Sequence, residues 1–336
     1  MTGTVVLAFD KFRGTATSGE LSAAGARAAE RCGWRPVEVL LADGGEGSLA
    51  ALGGPNKTTT VSGPLGEPVD AGWRLDGRVA YVEMAAASGL LLVGGAEHND
   101  PIAADTAGTG ELIATAVELG ARTVYVFLGG SATTDGGWGA VKALPPAARL
   151  KEVELIIATD VQTKFTDAAA VFGPQKGAKP SHVSFLERRL HRLTQIYRDT
   201  YGIDVTDVAG AGAAGGLAGG LLALGGRIES GFDVVAERVG LDEHLAGADL
   251  AVTGEGFLDD ESFNGKVVGG LTAWAAEQSV PVVAVVGDRD GDTPIPAELS
   301  VVSLAEQFGL DDALARPLDL VEQVVMTRLE RFEPLP

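Results

Sequence analysis

The chain has 336 residues, 46% of them hydrophobic, which is enough for two folded domains and far from the composition of a disordered chain. Its formal net charge is −20 and its basic residues are scattered, so we exclude nucleic acid as a partner. The single cysteine, Cys32, excludes an internal disulfide and fits a reducing cytoplasm. The most apolar run, residues 215–226, is shorter than the ~18 residues of a membrane-spanning helix, so we expect no membrane partner.

Short apolar runs rich in β-branched residues recur along the chain. In order they are TVVLAFD, VEVLLADGG, TVYVFLGG, ELIIATD, DLAVTGEG, VPVVAVVGD and LSVVSLAE. Runs that are continuously apolar are typical of strands buried on both faces of a parallel sheet. The stretches between them, such as SGELSAAGARAAERCG, carry apolar residues three and four apart, as crossover helices do. The sequence therefore predicts an α/β fold.

The stretch from Lys57 to Val93 has a different pattern. Gly, Pro and Asp turns separate short strands there, which is typical of antiparallel hairpins. This change predicts a domain boundary near residue 65. We expect a discontinuous outer α/β domain of residues 1–65 and 266–336, an inserted α/β domain of residues 66–265, and an active-site cleft between them, because clefts at domain interfaces are favoured ligand sites.

Most predicted strands end in an acid, in glycines, or in both. The strand-end residues are Asp10, Asp43, Gly44, Gly45, Glu46, Gly129, Gly130, Ser131, Asp135, Asp160, Gly254 and Glu255. Ligands of open α/β sheets lie beyond the carboxyl ends of the strands, so we expect these residues to converge on one crevice. A single acid at a strand end is most often a helix cap, but several unpaired carboxylates together need a cation, a proton or ligand donors.

The residue types favour a magnesium-bound nucleotide as the ligand. Mg²⁺ prefers oxygen ligands, typically one or two carboxylates completed by substrate phosphates. Glycines let backbone N–H groups approach phosphate oxygens, and GGSATTDGG and GAGAAGG are candidate cradles. Cations beside glycines, at Lys11, Arg13, Lys176 and Lys266, are of the kind that stabilises a phosphoryl group in transfer.

Two other nucleotide-binding motifs fit poorly. Gly210, Gly212 and Gly215 match the spacing of the dinucleotide motif, but the preceding strand is weak and no clear strand-ending acid follows about 20 residues on. A close-packed loop and a phosphate or substrate loop both stay open as interpretations of this segment. A Walker A loop is excluded, because Val267 follows Lys266 where Ser or Thr is required.

In these same segments the sequence resembles the bacterial glycerate kinase family. The matching motifs are LAFDKFRGT, LLADGGEGS, VEMAAASGL, AGTGELI, GGSATTDGG, AAVFGPQKGA, GAGAAGGL and VTGEGFLDDESFNGK, in the family's order. The resemblance implies a flavodoxin-like α/β domain inserted into a second α/β domain. It also implies that ATP and D-glycerate are the substrates, with the 2- or 3-hydroxyl as acceptor, and it leaves the oligomer open between monomer and homodimer.

Roles can be assigned to the matching residues as hypotheses. Asp135 or Asp160 would orient or deprotonate the acceptor hydroxyl, with Lys176 as a further catalytic residue. Asp43, Glu46 and Glu255 would hold Mg²⁺ directly or through water. The expected substrate and nucleotide contacts are Asp10, Arg13, Gly44, Gly45, Gly129, Gly130, Ser131, Gly210, Gly212, Gly254 and Lys266.

Departures from the family pattern keep alternatives open. Thr134 stands where the family usually has Asn, Phe257 where it has Arg and Arg13 where it has Lys, and TDVQTKFTD lacks the family's Asn-Pro-Leu-x-Gly. Losing an arginine would remove a bidentate partner for a carboxylate or phosphate. One alternative is a divergent member that binds nucleotide or a hydroxy acid without glycerate kinase turnover, and the other is a kinase for another small hydroxy acid.

Overall fold

The computed structural model describes residues 3–12, 14–144, 150 and 152–332. Its strands are β1 Thr4–Phe9, β2 Arg35–Glu38, β3 Lys57–Ser62, β4 Pro68–Asp76, β5 Val79–Glu83, β6 Thr123–Phe127, β7 Glu154–Ala158, β8 Arg227–Glu229, β9 Leu250–Gly254, β10 Phe257–Leu258, β11 Val282–Val286, β12 Asp288–Arg289 and β13 Leu299–Ser303. Within these ranges no helix combines the length and apolarity needed to cross a bilayer.

The α-helices alternate with the strands. They are α1 Ser18–Arg31, α2 Ser48–Ala51, α3 Ala85–Ser88, α4 Ala107–Glu118, α5 Trp138–Ala143, α6 Ala168–Phe172, α7 Pro180–Tyr201, α8 Ala213–Ala223, α9 Gly231–Val239, α10 Leu241–Leu245, α11 Val267–Glu277, α12 Leu304–Phe308, α13 Leu310–Ala315 and α14 Pro317–Glu330. Short 3-10 turns lie at Leu90–Val93, Phe165–Asp167, Pro174–Lys176 and Asp260–Phe263.

The chain divides into two compact units. The terminal unit contains residues 1–43 and 232–336, and the inserted unit contains residues 44–231. The α/β class and the insertion of one α/β unit into another are confirmed. The division falls earlier than the expected limits of 65 and 265, because β3 pairs with β4 of the inserted unit whereas β9 pairs with β1 and β11 of the terminal unit.

The terminal unit contains a five-stranded parallel sheet in the order β13-β11-β9-β1-β2. Counted within the unit this order is 2-1-3-4-5, which is that of flavodoxin-like sheets. The flavodoxin-like order that we expected in the inserted unit is therefore found in the terminal one. The reason is that β9 pairs directly with β1, a pairing between distant parts of the chain that motif order does not reveal.

Helices cover this sheet because its strands are apolar on both faces. Val5, Leu7 and Phe9 of β1 pack into a core cluster with α1 and α14, and Val6 and Ala8 between them are also fully buried. Thr17 and Glu20 form a capping box that begins α1. The central strands are thus held rigidly, which fixes the residues that follow them.

The inserted unit contains a six-stranded sheet in the order β3-β4-β5-β6-β7-β8. The pairs β3 with β4 and β4 with β5 are antiparallel, which confirms the hairpins predicted in this region, and β5 to β8 are parallel. Helices α4 and α8 pack in one apolar cluster with the sheet, and α7 contributes to a second cluster around Phe165 and Tyr197. The carboxyl ends of β5, β6 and β7 therefore lie side by side.

Candidate functional site

In the terminal unit, two predicted site residues follow the adjacent strands β1 and β9. Asp10 comes directly after β1 and Glu255 directly after β9. The backbone N–H of Asp10 donates a 2.8 Å hydrogen bond to the carbonyl of Gly254, so the two strand ends are joined. The order of strands along the chain reverses between β1 and β9, and ligands of doubly wound sheets bind at such a switch point. Asp10, Gly254 and Glu255 are therefore brought together as expected.

Gly254 has a steric reason to be glycine. A Cβ atom on it would lie 1.9 Å from the carbonyl oxygen of Val285 in the neighbouring strand β11. Real Cβ contacts are never this short, so a side chain here would push β9 and β11 apart. The residue thus keeps Glu255 in place by allowing a close approach of the strands.

Glu255 is an acid of the terminal unit whose pKa is strongly shifted. Its side chain is buried, and its Oε1 atom has no hydrogen-bond partner among the described residues. Burial raises the pKa of Glu255 from 4.5 to about 7, with smaller upward contributions from the charges of Asp10 and Asp259. A hydrogen bond with Ser262 and the charge of Lys266 oppose this rise in the pKa. Perturbed acids of this kind are typical of functional sites.

Lys266 supplies the positive charge beside Glu255. It is the half-buried N-cap residue of α11 and follows the turn Asp260–Phe263. That turn is held by Asp259, whose backbone N–H donates to Ser262 Oγ and whose carboxylate accepts from Glu261 N–H. Lys266 therefore joins Asp10 and Glu255 in one part of the terminal unit. Arg13, the other predicted cation after β1, lies outside the described residues.

In the inserted unit, predicted glycines crowd the carboxyl ends of β6 and β7. A Cβ atom on Gly44 would lie 2.4 Å from Cα of Gly231, and one on Gly129 would lie 2.9 Å from Cα of Gly45. Gly44 also has a φ of +79°, which favours glycine. Only glycine allows the backbone atoms to come this close, so residues 44–47 pack tightly against the ends of the strands.

Two acids orient the backbone around this segment. Glu83, the last residue of β5, accepts hydrogen bonds at one carboxylate oxygen from the N–H groups of Gly47 (3.1 Å) and Leu49 (2.7 Å). Asp160, two residues after β7, accepts a 3.0 Å hydrogen bond from Gly231 N–H. Asp160 is among the predicted site residues and Glu83 is not, although Glu83 also ends an apolar strand and the same rule identifies it.

Asp135 is buried and saturated with hydrogen bonds. Its Oδ2 accepts from Thr106 N–H, Thr106 Oγ1 and Gly139 N–H, and its Oδ1 accepts from Gly137 N–H. Burial raises the pKa of Asp135, and these hydrogen bonds oppose the rise. An acid with this many fixed donors is suited to holding the loop after β6 in place.

Lys176 lies deep in the same unit. It is 2% exposed, and its ammonium group donates a 2.7 Å hydrogen bond to Thr133 O. Burial lowers the pKa of Lys176 to about 7, and the charge of Asp135 opposes that fall. Lys176 and Asp135 therefore both act on the loop that connects β6 to α5.

The glycine-rich segment that contains Gly210 and Gly212 is closely packed. Gly212 N–H donates to Thr163 O, and a Cβ atom on Gly212 would lie 2.3 Å from Lys164 O. A Cβ atom on Gly215 would lie 2.0 Å from Thr133 O. These contacts fit the close-packed interpretation of the segment, and nucleotide contact by Gly210 and Gly212 stays a prediction.

The predicted metal ligands are distributed over both units. Asp43 is half-buried at the end of the first segment of the terminal unit, Glu46 is exposed in the inserted unit, and Glu255 follows β9. Across the described ranges, no three His, Cys, Asp or Glu residues converge as a metal site. Mg²⁺ usually needs only one or two carboxylates, and the unpartnered Oε1 of Glu255 has the chemistry of one such ligand.

Two cavities lie elsewhere in the terminal unit. One of about 740 Å³ is lined by the first residues of β9, β11 and β13, and one of about 470 Å³ by residues just before β9 and β11. Both are at the amino ends of the strands, opposite to the end where Asp10 and Glu255 lie. The rule for parallel sheets therefore favours the strand ends at Asp10 and Glu255 as the candidate site.

Comparison with known proteins gives consistent matches along the whole chain. The model of the glycerate kinase family matches residues 5–147 and 144–330. Glycerate 2-kinase of Escherichia coli K12 is 37% identical over 313 residues, covering 82% of this chain and 80% of the relative. Glycerate kinase of Bacillus subtilis 168 is 36% identical over 330 residues, covering 85% and 86%.

A solved structure agrees with the sequence matches. A crystal structure described as glycerate kinase 2 from Salmonella typhimurium LT2 superposes with a TM-score of 0.79 at 31% identity, covering 98% of this chain and 97% of that one. The strand-end acids, the glycine approaches and these matches lead to one conclusion: the chain belongs to the glycerate kinase family.

Proposed function

We propose that the protein is an ATP-dependent kinase that phosphorylates a hydroxyl of D-glycerate. The observation that carries the proposal is the pair of acids, Asp10 and Glu255, at the switch point of a flavodoxin-like sheet. Family membership supplies the identity of the two substrates. The name of the Escherichia coli relative favours the 2-hydroxyl as acceptor.

Transfer forms a bond between the acceptor hydroxyl oxygen and the γ-phosphorus and breaks the bond from that phosphorus to the bridging oxygen of ADP. The hydroxyl proton goes to Asp160, which we prefer to Asp135 as the base because all four described donors around Asp135 are fixed protein groups. Asp135 then acts as a positioning residue for the loop after β6. Lys266 and Arg13 neutralise anionic oxygens of the substrates.

Magnesium fits the acidic residues of the chain. Glu255, whose Oε1 is buried without a described partner, is the candidate ligand that the described contacts favour, and Asp43 and Glu46 stay predicted ligands. When bound, Mg²⁺ neutralises charge on the phosphates. Gly129, Gly130 and Ser131 are proposed to contact a substrate oxyanion, and Gly44 and Gly45 to let the backbone come close to it.

The proposal is tested by measuring ADP release from Mg-ATP with a panel of small hydroxy acids. We expect turnover that depends on D-glycerate, and ³¹P NMR of the product then identifies the phosphorylated carbon. Turnover with another hydroxy acid alone would replace the substrate. The absence of turnover with every acid would refute the kinase proposal and favour a divergent member that only binds.

Phe257 is the residue that supports the alternative of a divergent member that only binds. Phe257, which stands where the family usually has Arg, lies in β10 with 52% of its surface exposed. An exposed aromatic residue cannot form the bidentate pair that an arginine gives to a carboxylate. Calorimetric titration of ATP and D-glycerate into the protein separates binding from turnover.

A further inference from the structure

We propose that residues 129–131 form an oxyanion subsite and that Asn99 is a positioning residue for it. The inference rests on the proposed function, in which the oxyanion is either a phosphate group of ATP or the carboxylate of the acid. Asn99 lies in the loop between α3 and α4, in a part of the chain that carries no motif of its own.

Three carbonyl groups of the loop after β6 accept hydrogen bonds from protein donors. Gly130 O accepts from Leu90 N–H at 2.8 Å, and Ala132 O accepts from Asn99 Nδ2 at 2.9 Å. The next carbonyl, that of Thr133, accepts from the Lys176 ammonium group. Three carbonyls of a short loop are thus fixed by three separate donors, which orients the peptide planes that carry the N–H groups of Ser131, Thr133 and Thr134.

The N–H groups of the same loop are left without acceptors. Within the described part of the chain, the backbone N–H groups of Gly129, Gly130 and Ser131 donate no hydrogen bond, and the Ser131 hydroxyl has no partner. Gly130 is exposed, whereas Ser131 is 8% exposed. Successive free N–H groups in a turn form a concave site for an anion, and leaving them unpaired beside a protein interior is unfavourable.

Buried hydroxyl groups near this segment are a second, independent set of polar groups without described hydrogen-bond partners. Thr133 and Thr134 are fully buried, and neither Oγ1 atom has a described partner. Unsatisfied polar groups of this kind are rare in folded proteins and call for an explanation such as a ligand or an ordered water. They follow Ala132, whose own N–H donates to Ser88 O and separates them from the three free N–H groups.

Asn99 connects the loop to Lys176. Its Nδ2 donates both to Ala132 O and to the backbone carbonyl of Lys176, each at 2.9 Å, and its Oδ1 is buried without a described partner. The side chain therefore sets the position of the loop and of the lysine that holds the next carbonyl. Removing it leaves the peptide between Ala132 and Thr133 without one of its supports, so the backbone that directly follows residues 129–131 is held less firmly.

The variant Asn99→Ala tests this role against Glu97→Gln, an exposed neighbour in the same loop that makes no described hydrogen bond. We expect Asn99→Ala to raise the KM for either ATP or D-glycerate by about tenfold with a smaller change in kcat, since one lost hydrogen bond corresponds to up to roughly a factor of ten. The substrate whose KM rises identifies the oxyanion as phosphate or carboxylate. Glu97→Gln should match the wild type.

Direct binding separates this inference from the kinase proposal. Inorganic phosphate and D-glycerate are titrated calorimetrically into the wild type and both variants, and at least one probe should bind more weakly to Asn99→Ala alone. Wild-type affinity of Asn99→Ala for both probes, or no binding of either to the wild type, would overturn the inference even if the enzyme turns over. Selective loss of phosphate binding in a protein without turnover would support it and refute the kinase function.

A folding defect would be recognised by circular dichroism. In that case Ser131→Ala, which removes only a hydroxyl that has no described partner, takes the place of Asn99→Ala in the titrations. Weaker oxyanion binding by Ser131→Ala supports the subsite, and unchanged binding overturns it.

Discussion

The buried ammonium group of Lys176 donates a 2.7 Å hydrogen bond to the carbonyl oxygen of Thr133. The contact joins the 3-10 turn Pro174–Lys176 to the loop after β6, two segments that are distant in the chain. Among the described residues this ammonium group has one hydrogen bond, to a neutral carbonyl, and burial outweighs the charge of Asp135, so the pKa of Lys176 falls to about 7. The contact therefore positions the loop after β6, while the buried charge of Lys176 lowers the stability of the folded protein.

Lys176 should make stability depend on pH. Its pKa is about 7 in the folded protein and ordinarily 10.5, so between these values the unfolded chain binds more protons. The free energy of unfolding that Lys176 contributes therefore rises as the pH increases from 7 toward 10.5. In urea unfolding, the free energy of unfolding of the wild type minus that of Lys176→Met should become more positive from pH 7 to pH 9. A difference that is constant or shrinks would contradict this assignment.

Glu255 should have the opposite dependence at lower pH. Its pKa is raised from 4.5 to about 7, so the folded protein binds more protons between these values, and stability falls as the pH rises through this window. The shift corresponds to roughly 3 kcal/mol of unfolding free energy. With EDTA present, Glu255→Gln should remove the contribution of Glu255 and so weaken the dependence between pH 4.5 and 7, as measured by urea unfolding. Asp319→Asn, which replaces an acid in the first turn of α14, is the control and should leave the dependence unchanged.

Replacing the Asp135 carboxylate, which accepts four hydrogen bonds, should destabilise the inserted unit. In Asp135→Asn, an NH₂ group would face donors that now share the carboxylate, and we expect a loss of about 3 kcal/mol in the free energy of unfolding. Thr106→Val should also destabilise, because Thr106 Oγ1 donates to Asp135 and accepts from Ala140 N–H. Thr106→Ser keeps the hydroxyl and serves as the matched control in the same denaturation experiment; equal stability of the Val and Ser variants would argue against the hydrogen-bond role.

Gly129 should not tolerate a side chain. Its Cβ atom would lie 2.9 Å from Cα of Gly45 and 3.1 Å from Glu46 N, and backbone atoms move only at a cost of about 2 kcal/mol. Gly130→Ala is the comparison, because its nearest neighbour would be an ordinary 3.5 Å contact with Ala85 Cβ and its φ of +62° costs about 1 kcal/mol. In thermal unfolding, the melting temperature of Gly129→Ala should be lower than that of Gly130→Ala. The reverse order would show that residues 44–47 do not pack against Gly129 as described.

Asp160 should be required for turnover if it is the base. Asp160→Asn keeps an oxygen that can accept from Gly231 N–H but cannot take a proton, so we expect kcat to fall by about 10² or more. Asp167→Asn, an exposed acid of the same segment, should leave kcat unchanged. Steady-state kinetics with Mg-ATP and D-glycerate measure both. A near-normal kcat in Asp160→Asn would remove Asp160 from the role of base.

The sequence by itself determined the fold class, the identity of most strands and the family. Continuous apolar runs such as TVVLAF encode burial on both faces, and turn residues in the 57–93 region encode hairpins, because both depend on local periodicity. Strand-end acids and glycines were visible for the same reason. The identity of the substrates came from the family motifs, because the periodicity of a sequence carries no information about a ligand.

Only the tertiary structure decided which of these residues meet. The placement of β9 beside β1 joins Asp10 to Gly254 and Glu255, and it puts the flavodoxin-like order in the terminal unit rather than the inserted one. The saturation of Asp135 by Thr106, and the two hydrogen bonds from Asn99, likewise join segments without a common motif. A local pattern records how deeply a segment is buried, whereas its neighbours are chosen by the packing of the whole chain, so such contacts become visible only in three dimensions.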